Sequence, residues 1–208
     1  VKFELDIAAA AFLRDEIARR LPVFEFATGY AHTFVTTIYF DTADRRFFER
    51  ARRNYDHNDK IRVKDYYYEE PTESNGSSGS ANSGAGTGDA GVKGPAHARC
   101  RTSPVSYVEL KQRRGAIVTK KRLCVPKGKL DRFLSGEDLR DELGMAAEDS
   151  PSDGSGRLSF LARIEAYNAL REYLTRFTVS ATSVINYRRQ VYQVDEDELR
   201  ITFDDRIS

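Results

Sequence analysis

The chain has 208 residues, with 33 Lys+Arg against 32 Asp+Glu and a formal net charge of +1. That length fits one domain with a real core, and the near-neutral balance disfavours a protein that coats nucleic acid, so any anion site must be a local concentration of cations. The two cysteines, Cys100 and Cys124, form neither a disulfide framework nor a zinc array, which points to a reducing compartment.

In residues 1–5 the apolar Val1, Phe3 and Leu5 alternate with Lys2 and Glu4, which predicts a strand. Residues 8–21 predict a helix, with Asp6 as N-cap and Ala10, Leu13, Ile17 and Leu21 on one stripe. Residues 33–41 read as a strand closed by Asp41 as an end cap, with Tyr39 and Phe40 packing. Arg50, Arg52 and Arg53 follow as a solvated turn that could steer polyanions. Lys60, Arg62 and Lys64 then share one strand face while Ile61 and Val63 take the other, and Tyr66, Tyr67 and Tyr68 continue as an edge-strand run.

About 71–104 the chain is rich in Gly, Ser, Ala and Asn and reads as a disordered insert. Beyond it, Val108 and Leu110 oppose Glu109, Lys111 and Arg113 on one strand, and residues 117–125 form another with Lys120 and Arg122 on one face. A short helix over 129–134 ends near Gly136, a flexible polar loop covers about 148–156, and a longer helix spans 158–174 with Leu158, Leu161, Ile164, Leu170 and Leu174. Two final strands, 182–192 and 199–204, carry Tyr187 and Arg189 on one face and set Arg200 and Asp204 opposite Leu199, Ile201 and Phe203.

Alternating charge of this kind is ordinary on an antiparallel sheet with one solvated face. Here, however, Arg or Lys recurs on strand after strand. A barrel closed with its apolar faces outward, beneath amphipathic helices, would place those cations in a lumen suited to polyanions. The expected fold is therefore α+β: an antiparallel β-barrel, or tunnel, with a basic lumen. His32, His57 and His97 are scattered and carry no pattern, and Lys60 and Lys121 fit a tunnel mouth or solvent.

The strings Lys2-Phe3-Glu4-Leu5, Thr37-Ile38-Tyr39-Phe40-Asp41-Thr42, Lys60-Ile61-Arg62-Val63-Lys64, Val108-Glu109-Leu110-Lys111, Lys120-Lys121-Arg122, Tyr187-Arg188-Arg189 and Leu199-Arg200-Ile201-Thr202-Phe203-Asp204 stand in the order seen in the VTC (vacuolar transporter chaperone) domain. The chain resembles that family, of the CYTH or triphosphate tunnel metalloenzymes, over nearly its whole length outside the insert. The resemblance implies one tunnel domain over 1–208, built from about eight antiparallel strands. It implies phosphate contacts from Lys2, Arg62, Lys64, Lys111, Lys120, Tyr187, Arg189 and Arg200, with Lys120, Arg189 and Arg200 catalytic. Lys64 stands where many relatives have arginine, exchanging a planar fork for a point charge.

The resemblance further implies Mn²⁺ or Mg²⁺, with Glu109, Glu4 and Asp204 as ligand candidates and the principal family glutamate beyond residue 208, in a domain incomplete at its C-terminus. The implied activity is a phosphotransferase, a polyphosphate polymerase that uses ATP. A tunnel triphosphatase and a non-catalytic polyphosphate sensor are the alternatives that the same lumen supports. ATP and polyphosphate are the expected partners, and nucleic acid is not. No run approaches the ~20 apolar residues of a membrane span, so the sequence reads as cytoplasmic, or as a cytosol-facing domain with a membrane or accessory partner in the full-length protein.

Overall fold

The computed structural model describes residues 3–25, 31–69, 100–145, 154–194 and 199–208. Helix α1 spans Ile7–Ala18, and Asp6 caps it by accepting from the Ala9 amide at 2.7 Å. Residues 3–6 are not in a strand. The strand expected over 1–5 is thus absent among its described residues, because the chain turns directly into the Asp6 cap. None of α1's residues is buried: Ala10 and Ile17 are half-buried, Leu13 is exposed, and Ile7 and Phe12 face solvent.

Seven strands follow among the described residues: β1 His32–Asp41, β2 His57–Glu69, β3 Cys100–Thr102, β4 Val105–Arg114, β5 Ile117–Pro126, β6 Ser180–Val194 and β7 Leu199–Asp205. They form one sheet in the order β5-β4-β2-β1-β6-β7, with β3 paired to β2, and every pairing is antiparallel. Of the expected insert, residues 71–99 lie outside the described ones, and Cys100–Thr102 is strand. Tyr66, Tyr67 and Tyr68 lie in β2, an interior strand rather than an edge: Tyr66 pairs with β1, Tyr67 with both β1 and β3, and Tyr68 with β3.

Helices cover the convex face. Ile61, Val63, Val108, Leu110, Leu123 and Val125, the apolar halves of β2, β4 and β5, pack against helix α3 (Leu130–Leu134), the turn after it and helix α4 (Gly154–Arg176). Phe133, Leu139, Met145, Tyr167 and Leu170 fill this layer, and Tyr167 donates to Asp138 while accepting from the Leu139 amide. Gly136 ends α3 at φ +86°, and a Cβ there would meet the Leu174 carbonyl oxygen at 3.3 Å, so glycine satisfies both the turn and the close approach. Helix α4 begins at Gly154, ahead of the expected 158, and of the polar loop expected about 148–156 residues 148–153 lie outside the described ones.

The arginines expected in a solvated turn form helix α2, Arg46–Arg53, with Phe47 buried beside Tyr173 and Phe177. Asp41 seats it: its two carboxylate oxygens accept from the Phe47 and Phe48 amides, each at 2.9 Å. Among the described residues the sheet does not close, since β5 and β7 each pair with one strand only. The expected tunnel is therefore a curled half-barrel, with its polar face inward.

Candidate functional site

The curl is evident from contacts that skip a strand. Lys64 on β2 and Tyr187 on β6 lie on either side of β1, opposite Thr37 and Val35, two strand spacings across and two residues along, which would be about 12 Å apart at the backbone of a flat sheet. Their tips nevertheless meet, with Lys64 Nζ donating to the Tyr187 hydroxyl at 3.0 Å. Arg122 on β5 likewise reaches across β4 to donate to the Tyr66 hydroxyl on β2 at 2.8 Å. Side chains from alternate strands thus converge over a concave surface.

Register arranges that surface in rows. At one end Lys60 is opposite Lys111, and Lys111 is opposite Lys120, so three lysines stand abreast on β2, β4 and β5. Like charges directly opposite one another destabilise a sheet unless something anionic lies over them. The Lys111 pKa is lowered by partial burial and by the cations Arg62, Lys60 and Arg113.

The next row holds Arg122, Glu109, Arg62 and Tyr39, again in register. Glu109 is only 1 % exposed and ties three strands together. Its Oε2 accepts from Arg62 Nε at 2.7 Å, while Oε1 lies 3.0 Å from Lys120 Nζ and 3.3 Å from Arg122 Nε. Burial alone would raise the Glu109 carboxyl, but Arg62 and Lys120 outweigh it and hold it below the usual range. Arg122 is also cradled by aromatic rings, 3.9 Å from the Tyr107 centroid and 5.6 Å from that of Tyr66.

One row further stands Lys64, 7 % exposed, opposite Thr37. Burial first, then Arg62, lowers its pKa, with Arg189 adding to the effect. Burial raises the hydroxyl of its partner Tyr187, whose ring lies 5.0 Å from the Arg189 guanidinium. Arg189 in turn grips Asp204 through two bonds of 2.7 Å. A continuous series of cations and hydroxyls therefore runs from Lys120 through Arg62 and Lys64 to Arg189.

Of the residues predicted for the site, Arg62, Lys64, Lys111, Lys120, Tyr187 and Arg189 share this face. Lys2 lies outside the described residues. Arg200 has the right face but the wrong height: it is opposite Gln193, beyond the last β1–β6 pair at His32 and Gln190, with its guanidinium 5.8 Å from the Phe24 ring. The three residues expected to be catalytic are thus not gathered, since Lys120 lies at one end and Arg189 and Arg200 at the other. Arg122, Tyr66 and Tyr107 belong to the site and were not among the predicted contacts. Arg122 was read onto the face of Lys120 from its two-residue step, the signal that could have added it to the contacts.

The carboxylates do not fit a protein-held divalent ion. Three cations already enclose Glu109, both oxygens of Asp204 are taken by Arg189, and Glu4 is exposed ahead of α1. Among the described residues no three His, Cys, Asp or Glu side chains come together as a metal site.

This geometry can be set beside known proteins. The VTC domain model matches residues 1–75 and 99–208. The chain belongs to the VTC domain family. A comparison with the curated proteins found no match. Among solved structures, the VTC domain is similar to a crystal structure of a "putative adenylate cyclase" from Bacillus halodurans. That likeness has 10 % sequence identity and a TM-score of 0.46, and covers 96 % of this chain and 67 % of the other. No helix among the described residues of the VTC domain is long and apolar enough to cross a membrane.

Proposed function

We infer that this VTC domain binds ATP and polyphosphate on its concave face and transfers the γ-phosphoryl group of ATP to the end of a growing polyphosphate chain. The observation that carries the reading is the Lys60, Lys111 and Lys120 row leading without a break into Arg62, Arg122, Lys64 and Arg189. Such a surface offers many cations and little acid–base machinery. That is what phosphoryl transfer between phosphates requires, because the chemistry is chiefly alignment and charge stabilisation.

In the step itself an oxygen of the terminal chain phosphate forms a bond to the γ-phosphorus, the bond from that phosphorus to the β-bridging oxygen breaks, and ADP departs with the electron pair. The guanidinium N–H groups of Arg62 and Arg189 not engaged by Glu109 and Asp204 orient phosphate oxygens, and Lys111 and Lys120 offset the charge that builds on the transferred group. Lys64, fixed by Tyr187, adds a point charge midway. Mn²⁺ or Mg²⁺ enters the reading as the counterion of the nucleotide.

The test is incubation of the native-length protein with ATP and Mn²⁺, followed by a gel stained for polyphosphate, beside its Lys120→Ala and Arg189→Ala variants. A ladder from the wild type and product reduced about 100-fold or more in both variants is the expected result. Orthophosphate without a ladder would replace the polymerase with a triphosphatase. Binding without turnover would leave a sensor.

A further inference from the structure

A phosphate-binding surface has no evident use for a buried carboxylate at its centre. Glu109 nevertheless sits there, enclosed by cations from three strands: Arg62 of β2 and Lys120 and Arg122 of β5, around its own β4. Its two oxygens are held unequally. Oε2 accepts a well-formed bond from Arg62, whose side chain is 18 % exposed and so firmly placed. Oε1 is buried and lies near Lys120 Nζ and Arg122 Nε, but neither is aligned to donate to it. Those two contacts are attractions without hydrogen-bond geometry, made by half-exposed side chains, of which Arg122 is held by the Tyr66 hydroxyl and the Tyr107 ring rather than by Glu109. A bound phosphate would draw on the same three cations.

We propose that Glu109 is an internal stand-in for phosphate, which keeps Arg62, Lys120 and Arg122 gathered when the face is empty and competes with the polyanion for them when it is filled. The inference rests on the reading that this face binds chains of phosphate. Such a chain has to advance as it grows, and a site that passes a charged chain along must hold each unit firmly enough to admit it and weakly enough to release it. An unrelieved array of Lys60, Lys111, Lys120, Arg62 and Arg122 would hold a product chain in place. One fixed negative charge among them lowers that grip while leaving the cations pointed at the ligand. The competing role, that of a metal ligand, would make Glu109 matter only when metal is present.

The experiment is a calorimetric titration of inorganic tripolyphosphate into the wild-type protein and its Glu109→Gln variant, in EDTA and again with Mn²⁺, with circular dichroism to verify folding. The variant is expected to bind tripolyphosphate about tenfold more tightly in EDTA, because removing one nearby charge from an anion site strengthens it by at least that factor. Equal or weaker binding by the folded variant in EDTA overturns the proposal, as does a change seen only with Mn²⁺. Glu109→Asp, which keeps the buried charge but shortens its reach, is expected to bind with intermediate affinity. It provides the same test if the Gln variant does not fold, and wild-type affinity in that variant would then count against the proposal. No binding by the wild type would remove both this inference and the reading of the face. Binding by the wild type without tightening in the variants would remove this inference alone.

Discussion

Lys111 has a lysine opposite it on either side, and no carboxylate of the described residues forms a salt bridge with it. A side chain kept under those conditions works against the stability of the empty sheet. Replacing it with methionine, of similar length and no charge, is expected to raise the stability of the ligand-free protein by about 0.5 kcal/mol in urea melts. The same change should weaken tripolyphosphate binding about tenfold. A loss of stability would show instead that the ammonium is well paired. Arg62 and Lys64 were legible as sharing one face because side chains two apart on a strand point the same way, while the grouping of Lys111 and Lys120 with them came from the resemblance to the VTC domain. The Lys60-Lys111-Lys120 row was not legible, because which lysine stands beside which depends on hairpin register, and alternation carries no register information. The contacts of Arg122 with the Tyr66 and Tyr107 rings were not legible for the same reason, although its face was.

At the scale of elements, α2 and α1 illustrate two ways in which a short helix escapes or misleads pattern reading. α2 has one buried apolar residue, Phe47, in a run otherwise dominated by arginine and exposed Phe48, so no apolar stripe announces it. What sets it in place is Asp41, expected only to close the strand, whose carboxylate accepts from the Phe47 and Phe48 amides of a helix that was not expected. Asp41→Ala is expected to cost about 1–2 kcal/mol in thermal melts and to speed hydrogen exchange at the Phe47 and Phe48 amides. Unchanged exchange would mean that the burial of Phe47 alone holds the helix. α1 shows the opposite case: its stripe and its Asp6 cap predicted a helix correctly, but the stripe is at most half-buried. Arg14 makes its long-range link, bonding Asp205 at 3.1 Å and lying over the Phe203 ring.

Over the whole molecule the fold joins an oily convex layer to a charged concave one, and ionised carboxylates serve on both faces, Glu109 on the concave one and Asp205, beside Arg188 and Arg14, on the other. Arg62 and Lys120 keep the Glu109 carboxyl low against the effect of burial, and Arg188, through its hydrogen bonds, keeps that of Asp205 low. Both groups therefore add stability that is fully present above the ordinary carboxylate range and is lost as pH falls through their depressed values. Urea unfolding free energies are expected to drop by about 1–3 kcal/mol between roughly pH 6 and pH 3. A flat profile would mean that neither pair favours the folded state.

The sequence by itself determined the antiparallel, mixed α+β character, the faces of the strands, the apolar side of α4 and the family, since each follows from local periodicity or from strings read along the chain. Tertiary structure alone decided how far along its strand each cation stands. Arg200 lies on the predicted face yet beyond the end of β1, whereas Lys64 and Tyr187, on strands with β1 between them, meet because the sheet curls. Period two specifies a direction for each side chain, but height and curvature come from pairing and packing between segments distant in the chain.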